Sequence, residues 1–163
     1  MTSVREKLDN YAGEVCKILF PIKVDFFKGD GSNISLCTLS SVELLKVISK
    51  SEIMKKLVIA GRLFSENKGI DQIVEYCLQH PKMQYIILCG KDTKGHFPGD
   101  ALMCLLNNDV TDEGRILGTI APYPYITISK ENIKRFKAQI SIVDLRNCFD
   151  VTKISDIVNR LGR

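Results

Sequence analysis

The string Gly90-Lys91-Asp92-Thr93-Lys94-Gly95-His96-Phe97-Pro98-Gly99 concentrates the residues best suited to chemistry in this chain. It holds three glycines, two lysines, one acid and one of only two histidines. Glycines let backbone approach a large planar or phosphate-bearing ligand without a side-chain clash, and a loop between strand and helix presents N–H donors. A neutral imidazole is a good donor to a borderline transition metal, and a carboxylate on its second ring nitrogen tunes it as a ligand. Two acids are placed to do so: Asp92, four residues before His96, and Glu66 in the string Glu66-Asn67-Lys68-Gly69-Ile70. Glu66 is favoured, because adjacent parallel strands bring their C-terminal loops together. Composition alone leaves several ligands open, and an imidazole displayed on a surface loop is an equal reading of His96. His80 differs, since it ends an amphipathic stretch just before Pro81, where an imidazole meets the last helix carbonyls.

A second loop, Gly61 to Asn67, follows another apolar run and offers Gly61, Arg62, Glu66 and Asn67 to a ligand. Arg62 reads as a bidentate partner for a carboxylate or for phosphate and amide groups, with a surface ion pair as the alternative. Pro122-Tyr123-Pro124-Tyr125 is stiff, and Pro122 with Tyr123 would suit one face of a large ring, core packing of the tyrosines being the other reading. Cys89 and His96 have no oxyanion loop or triad pattern beside them, so a hydrolase is disfavoured and no residue receives a catalytic role.

Alternating strands and helices position these loops. The apolar spacing predicts a helix over Thr2 to Leu19, closed by Phe20-Pro21, and a buried strand from Ile34 to Leu39. Ser40 and Glu43 form a capping-box pattern before Val42, Leu45 and Ile48. Lys56 to Ala60 is the second strand, and Ile70, Ile73, Val74, Cys77 and Leu78 mark the next helix, ended by Pro81. Tyr85 to Cys89 forms the third strand, and a helix with Ala101, Leu102, Leu105 and Leu106 follows Gly99. Ser129 caps a short helix carrying Ile133 and Phe136. Ile140 to Leu145 is the last strand, and Ile154, Ile157, Val158 and Leu161 form a final helix closed by Gly162. This succession predicts an α/β fold with a mostly parallel sheet covered by helices on both faces, and ligands at the C-terminal strand ends.

Length and composition fit one soluble domain over residues 1–163, with 45% hydrophobic and 26% charged residues. A net charge of +4, spread along the chain, gives no dense basic stripe, so nucleic acid is not the expected partner. The six cysteines lack a CxxC pair and sit among apolar neighbours, as reduced thiols do, and no secretory leader is seen, so a cytoplasmic protein is expected. No apolar run reaches the roughly 18 residues of a membrane span, so direct insertion is not expected.

The strings VIAGRLFSENKGIDQIV, YIILCGKDTKGHFPGDAL, DEGRILG and RFKAQISIVDL resemble, in order and spacing, the corrinoid-binding A subunit of tetrahydromethanopterin S-methyltransferase and its cytoplasmic homologues. The likeness runs from Leu57 to Leu145 and extends more weakly upstream through Gly29-Asp30. It implies a Rossmann-like fold that holds cobalamin, with the histidine of a CGxExxGHxxG motif as lower axial cobalt ligand. On this sequence that histidine is His96, and Asp92 stands where the motif has glutamate. With Gly61, Arg62, Glu66 and Asn67, the implied cofactor-binding set includes Gly90, Asp92, Lys94, Gly95, His96, Phe97, Pro98 and Gly99, then Pro122 and Tyr123. Pro98 stands where the family often has a hydroxyl, and Asp100 replaces a longer polar side chain. The resemblance implies a cytoplasmic protein that carries a methyl group on cobalt for partner methyltransferases, His96 binding and releasing as methylation changes. Corrinoid storage, or a nucleotide- or phosphate-binding module, is the alternative. No membrane anchor is seen, so a part in ion pumping would require partners.

Overall fold

The computed structural model describes residues 26–162, so the helix expected over 2–19 lies outside the described residues. Five strands form one sheet: β1 (Phe27–Lys28), β2 (Ile34–Cys37), β3 (Leu57–Gly61), β4 (Tyr85–Gly90) and β5 (Ser141–Arg146), in the order β1-β3-β2-β4-β5. β1 runs antiparallel to β3, and the other neighbours are parallel. Two residues are too few to show a sequence period, so the apolar pattern does not predict β1. From β2 the chain crosses to β3 on one side and later to β4 on the other. The order therefore reverses between β2 and β4.

Helices α1 (Val42–Ser49), α2 (Lys68–Gln79), α3 (Pro98–Asn107), α4 (Lys130–Gln139) and α5 (Val151–Leu161) cover both faces. On one face Ile70, Val74 and Cys77 of α2, Leu102 and Leu105 of α3, and Ile133 and Phe136 of α4 pack with Cys37, Ile86 and Leu88. On the other, Leu44, Leu45 and Ile48 of α1 and Ile154 and Val158 of α5 pack with Leu36, Ile87 and Cys89. Successive residues of β4 thus alternate between two cores, the two-residue period of a strand buried on both sides. The expected α/β architecture is present.

Several boundaries differ from the sequence reading for identifiable reasons. β2 stops at Cys37 because Leu39 turns into the left-handed region, at φ 53°. The capping box expected at Ser40 does not form: Ser40 Oγ donates to the Lys91 carbonyl at 2.6 Å, and Ser41 Oγ accepts from the Lys91 N–H at 2.9 Å. Both side chains join the β2 and β4 loops instead of capping α1. Ser129 does cap α4, accepting from the Asn132 N–H, and His80 Nδ1 lies 2.7 Å from the Tyr76 carbonyl at the end of α2.

Burial pushes the Cys37 and Cys77 thiols up to about 12, and raises that of Cys89 as well. Such thiols are inert, which removes Cys89 as a nucleophile. Among the described residues, no helix is long and apolar enough to cross a membrane.

Candidate functional site

Because β3 and β4 flank β2, the loops that leave their C-terminal ends meet above it. There Glu66 Oε2 lies 3.1 Å from His96 Nδ1. Glu66 is 3% exposed, whereas the His96 side chain is 61% exposed. An imidazole whose Nδ1–H donates to a carboxylate keeps its lone pair on Nε2, the nitrogen available as a ligand. Asn67, next to Glu66, starts α2 by accepting from the Lys68 N–H at 2.6 Å, which fixes the chain just beyond the acid. Among the described residues no group of three or more His, Cys, Asp and Glu side chains could itself hold a metal ion.

Asp92 has a different task. Its carboxylate accepts from the Thr93, Gly99 and Asp100 N–H groups, each at 3.0 Å, and so caps α3. The residue at the helix boundary, Phe97, is left-handed at φ 48° and provides no cap of its own. A carboxylate at that end also complements the helix dipole.

This cap corrects the sequence reading of the loop's far end. Pro98 and Gly99 are buried residues of the first turn of α3, not exposed loop positions. Pro98 suits the turn because its missing N–H is not needed there. A Cβ on Gly99 would lie 2.9 Å from Asp92 Oδ2 and 3.0 Å from Leu39 Cδ2, so this glycine makes room for the cap. Gly95 is the opposite case. It sits at φ 87° with no heavy atom within 4 Å of a Cβ, beside the exposed imidazole. Leu39, Phe97 and Asn147, the three described non-glycine residues with positive φ, all lie beyond the C-terminal ends of β2, β4 and β5. Backbone strain clusters at functional edges of this kind.

The remaining expected residues are dispersed around this pair. Arg62 lies with its guanidinium 3.7 Å from the Phe64 ring centroid and donates to the Ser40 carbonyl at 3.3 Å. Gly61 is the last residue of β3, paired with Cys37. Gly90, at φ 71°, turns the chain where a Cβ would meet Ser41 Oγ at 2.6 Å. Tyr123 is 46% exposed and rests on Tyr125 at 4.8 Å between ring centroids, so it is not a core residue. Lys94 and Phe97 line a cleft of about 470 Å³ at the ends of β4 and β5.

That cleft also holds Lys91 and Asp100, and residues the sequence pattern does not single out: Ile120, Asp144, Arg146 and Asn147. From the 119–125 segment it is Ile120, and not Pro122 or Tyr123, that lines it. Asp100 Oδ2 accepts from Thr119 Oγ1 at 2.6 Å and from the Ile120 N–H at 2.9 Å, which holds the segment in place. Arg146 donates to both oxygens of Asp144, through Nε at 2.9 Å and Nη2 at 2.7 Å, and approaches Asp100 at 3.7 Å. The Arg146 hydrogen bonds hold the Asp144 carboxyl below its usual range and raise the guanidinium in return. The rule that ligands gather at C-terminal strand ends points to Asp144 and Arg146 once β5 is placed beside β4.

The family model for the A subunit of tetrahydromethanopterin S-methyltransferase (MtrA) matches residues 17–162. Among similar proteins is the A subunit of tetrahydromethanopterin S-methyltransferase from Methanocaldococcus jannaschii, 35% identical over 61% of this chain and 42% of its own. The A 2 subunit from Methanothermobacter marburgensis is 35% identical over 64% of this chain and 56% of its own. The A subunit from Methanosarcina barkeri is 32% identical over 64% of this chain and 43% of its own. The chain spans about half the length of the curated relatives it matches.

Proposed function

The chain belongs to the family of the tetrahydromethanopterin S-methyltransferase A subunit, and from that premise we propose that it binds a corrinoid through His96 and carries a methyl group for partner methyltransferases. The observation that carries this reading is the His96–Glu66 pair: an exposed imidazole whose Nδ1 is held 3.1 Å from a buried carboxyl.

The residues present fit such a cofactor. His96 would hold such a cofactor as a single imidazole donor, since the macrocycle brings donors of its own to the metal. Gly95 leaves open space beside the imidazole, which a ring of that size needs. When bound, a corrinoid would supply a cobalt that can accept and release a methyl group.

The protein's contribution is orientation. Glu66 accepts the Nδ1–H, fixes the ring plane and keeps the Nε2 lone pair pointed away from the protein. Asn67 and the start of α2 fix Glu66, while the Asp92 cap fixes the loop that displays His96. Both members of the pair are thus held by the secondary structure around them.

Anaerobic reconstitution with cobalamin tests the reading. A stoichiometric corrinoid band in the visible spectrum of the desalted protein is expected, with the cofactor's own base displaced. Methyl transfer with cell extract then separates a carrier from a store. A protein that retains no corrinoid after desalting contradicts the proposal.

A further inference from the structure

Three of the charged groups on the β4/β5 cleft are already engaged within the protein. Asp92 caps α3, Asp100 holds Thr119 and Ile120, and Asp144 chelates Arg146. Lys91 and Lys94 are exposed and take part in no ion pair among the described residues. The cleft therefore offers a ligand two ammonium groups that no carboxylate among the described residues pairs with. Beside them stand Phe97 and Ile120, the latter 67% exposed although its backbone is firmly held.

The neighbouring crevice, at the reversal point between β2 and β4, is closed. Ser40 Oγ and the Ser40 N–H both donate to the Lys91 carbonyl, the Lys91 N–H donates to Ser41 Oγ, and Ser41 occupies the room beside Gly90. A flexible arm on a ligand bound at His96 cannot pass between those strands. The open course lies on the other side of the 91–97 loop, where Phe97, the residue after His96, lines the cleft.

We propose that this cleft binds the phosphodiester of the corrinoid's nucleotide arm through Lys91 and Lys94, with Phe97 and Ile120 as apolar contacts for its base. The inference rests on the corrinoid reading: coordination by His96 displaces the arm's own base from the metal, so base and phosphate require a place elsewhere. Arg146 forms the cleft wall. Its guanidinium is engaged by Asp144 and Asp100, and Asp100 in turn holds the backbone of Ile120.

The test compares cobalamin with cobinamide, which lacks the nucleotide and its phosphodiester, by spectral titration of the full chain. In the Lys91→Ala/Lys94→Ala variant, cobalamin is expected to bind roughly 3- to 20-fold more weakly, the effect of losing two exposed ion pairs, while cobinamide affinity stays unchanged. The Lys91→Arg/Lys94→Arg variant should restore cobalamin binding, and added salt should weaken cobalamin more than cobinamide. Both lysines are exposed, so circular dichroism should match the wild type. If the alanine variant leaves the ratio of the two affinities unchanged, the arm does not lie here, although the corrinoid reading stands. If the wild type binds neither compound, the corrinoid reading itself fails and the arm assignment with it.

Discussion

Glu66 lies buried beneath an exposed His96, its Oε2 3.1 Å from Nδ1, although the two are 30 residues apart in the chain. The contact joins the β3 and β4 loops across the end of β2, so the sheet order creates it. It assigns the imidazole to Glu66, the acid that the sequence reading favours over Asp92.

Glu66→Gln is expected to lower corrinoid affinity by about 10- to 100-fold, the usual effect of losing the carboxylate that orients a ligating imidazole. Titration of the variant with cobalamin measures this. Wild-type affinity would mean that backbone or water orients His96.

Asp92→Ala should act on stability instead. Removing a carboxylate that accepts two N–H groups in the first turn of α3 is expected to cost about 1–2 kcal/mol, as loss of a helix cap does. Urea unfolding of the apo-protein reads the change as a lower midpoint with unaltered slope. An unchanged midpoint would show that the cap does not form in solution.

The two glycines that bracket His96-Phe97-Pro98 should fail differently. Gly99→Val places volume against Asp92 and Leu39, so the apo-protein loses stability by about 1–3 kcal/mol before any ligand is present. Gly95→Val meets no protein atom near its Cβ and should reduce corrinoid affinity while the apo-protein keeps most of its stability, apart from about 1–2 kcal/mol for the left-handed backbone. Gly95→Asn, which tolerates that backbone, separates dihedral from volume. Unaltered corrinoid affinity in Gly95→Val, or an apo-protein of wild-type stability in Gly99→Val, would contradict this division.

Arg146 holds the Asp144 carboxyl below its usual range, so the sign of its pH dependence is fixed. A carboxyl lowered in the folded state contributes stability that is complete above the ordinary aspartate value of about 4 and is lost as the pH falls below it. Arg146→Gln should therefore shed stability at neutral pH and flatten the acid limb of the stability curve. Thermal melts from neutral pH to about pH 3 check this. A variant with an acid limb as steep as the wild type would assign that loss to other carboxyls.

Much of the α/β layout can be read from the chain because each strand and helix carries its own period, as in β4, where Ile86 and Leu88 face one core and Ile87 and Cys89 the other. Glu66 is reachable from the same logic, since parallel neighbours bring their loops together. What local pattern does not give is the destination of a polar side chain. Ser40 and Glu43 have the spacing of a capping box, yet Ser40 and Ser41 bond Lys91, about fifty residues away. Asp92 occupies the position of the family's glutamate and turns to its own helix, because Phe97 provides no cap and leaves the Gly99 and Asp100 N–H groups to satisfy. Arg146, Asp144 and Ile120 join Lys91 and Lys94 only after β5 has been placed beside β4, and strand order is not written in any single segment.

Magnetic resonance of the Co(II) form, with isotope-labelled histidine in the protein, tests axial ligation by His96 most directly. A nitrogen coupling that changes with the histidine label and disappears in His96→Ala is expected, together with loss of any coupling from the cofactor's own base. A coupling that survives in His96→Ala, or a spectrum dominated by the cofactor's base in the wild type, would contradict the assignment.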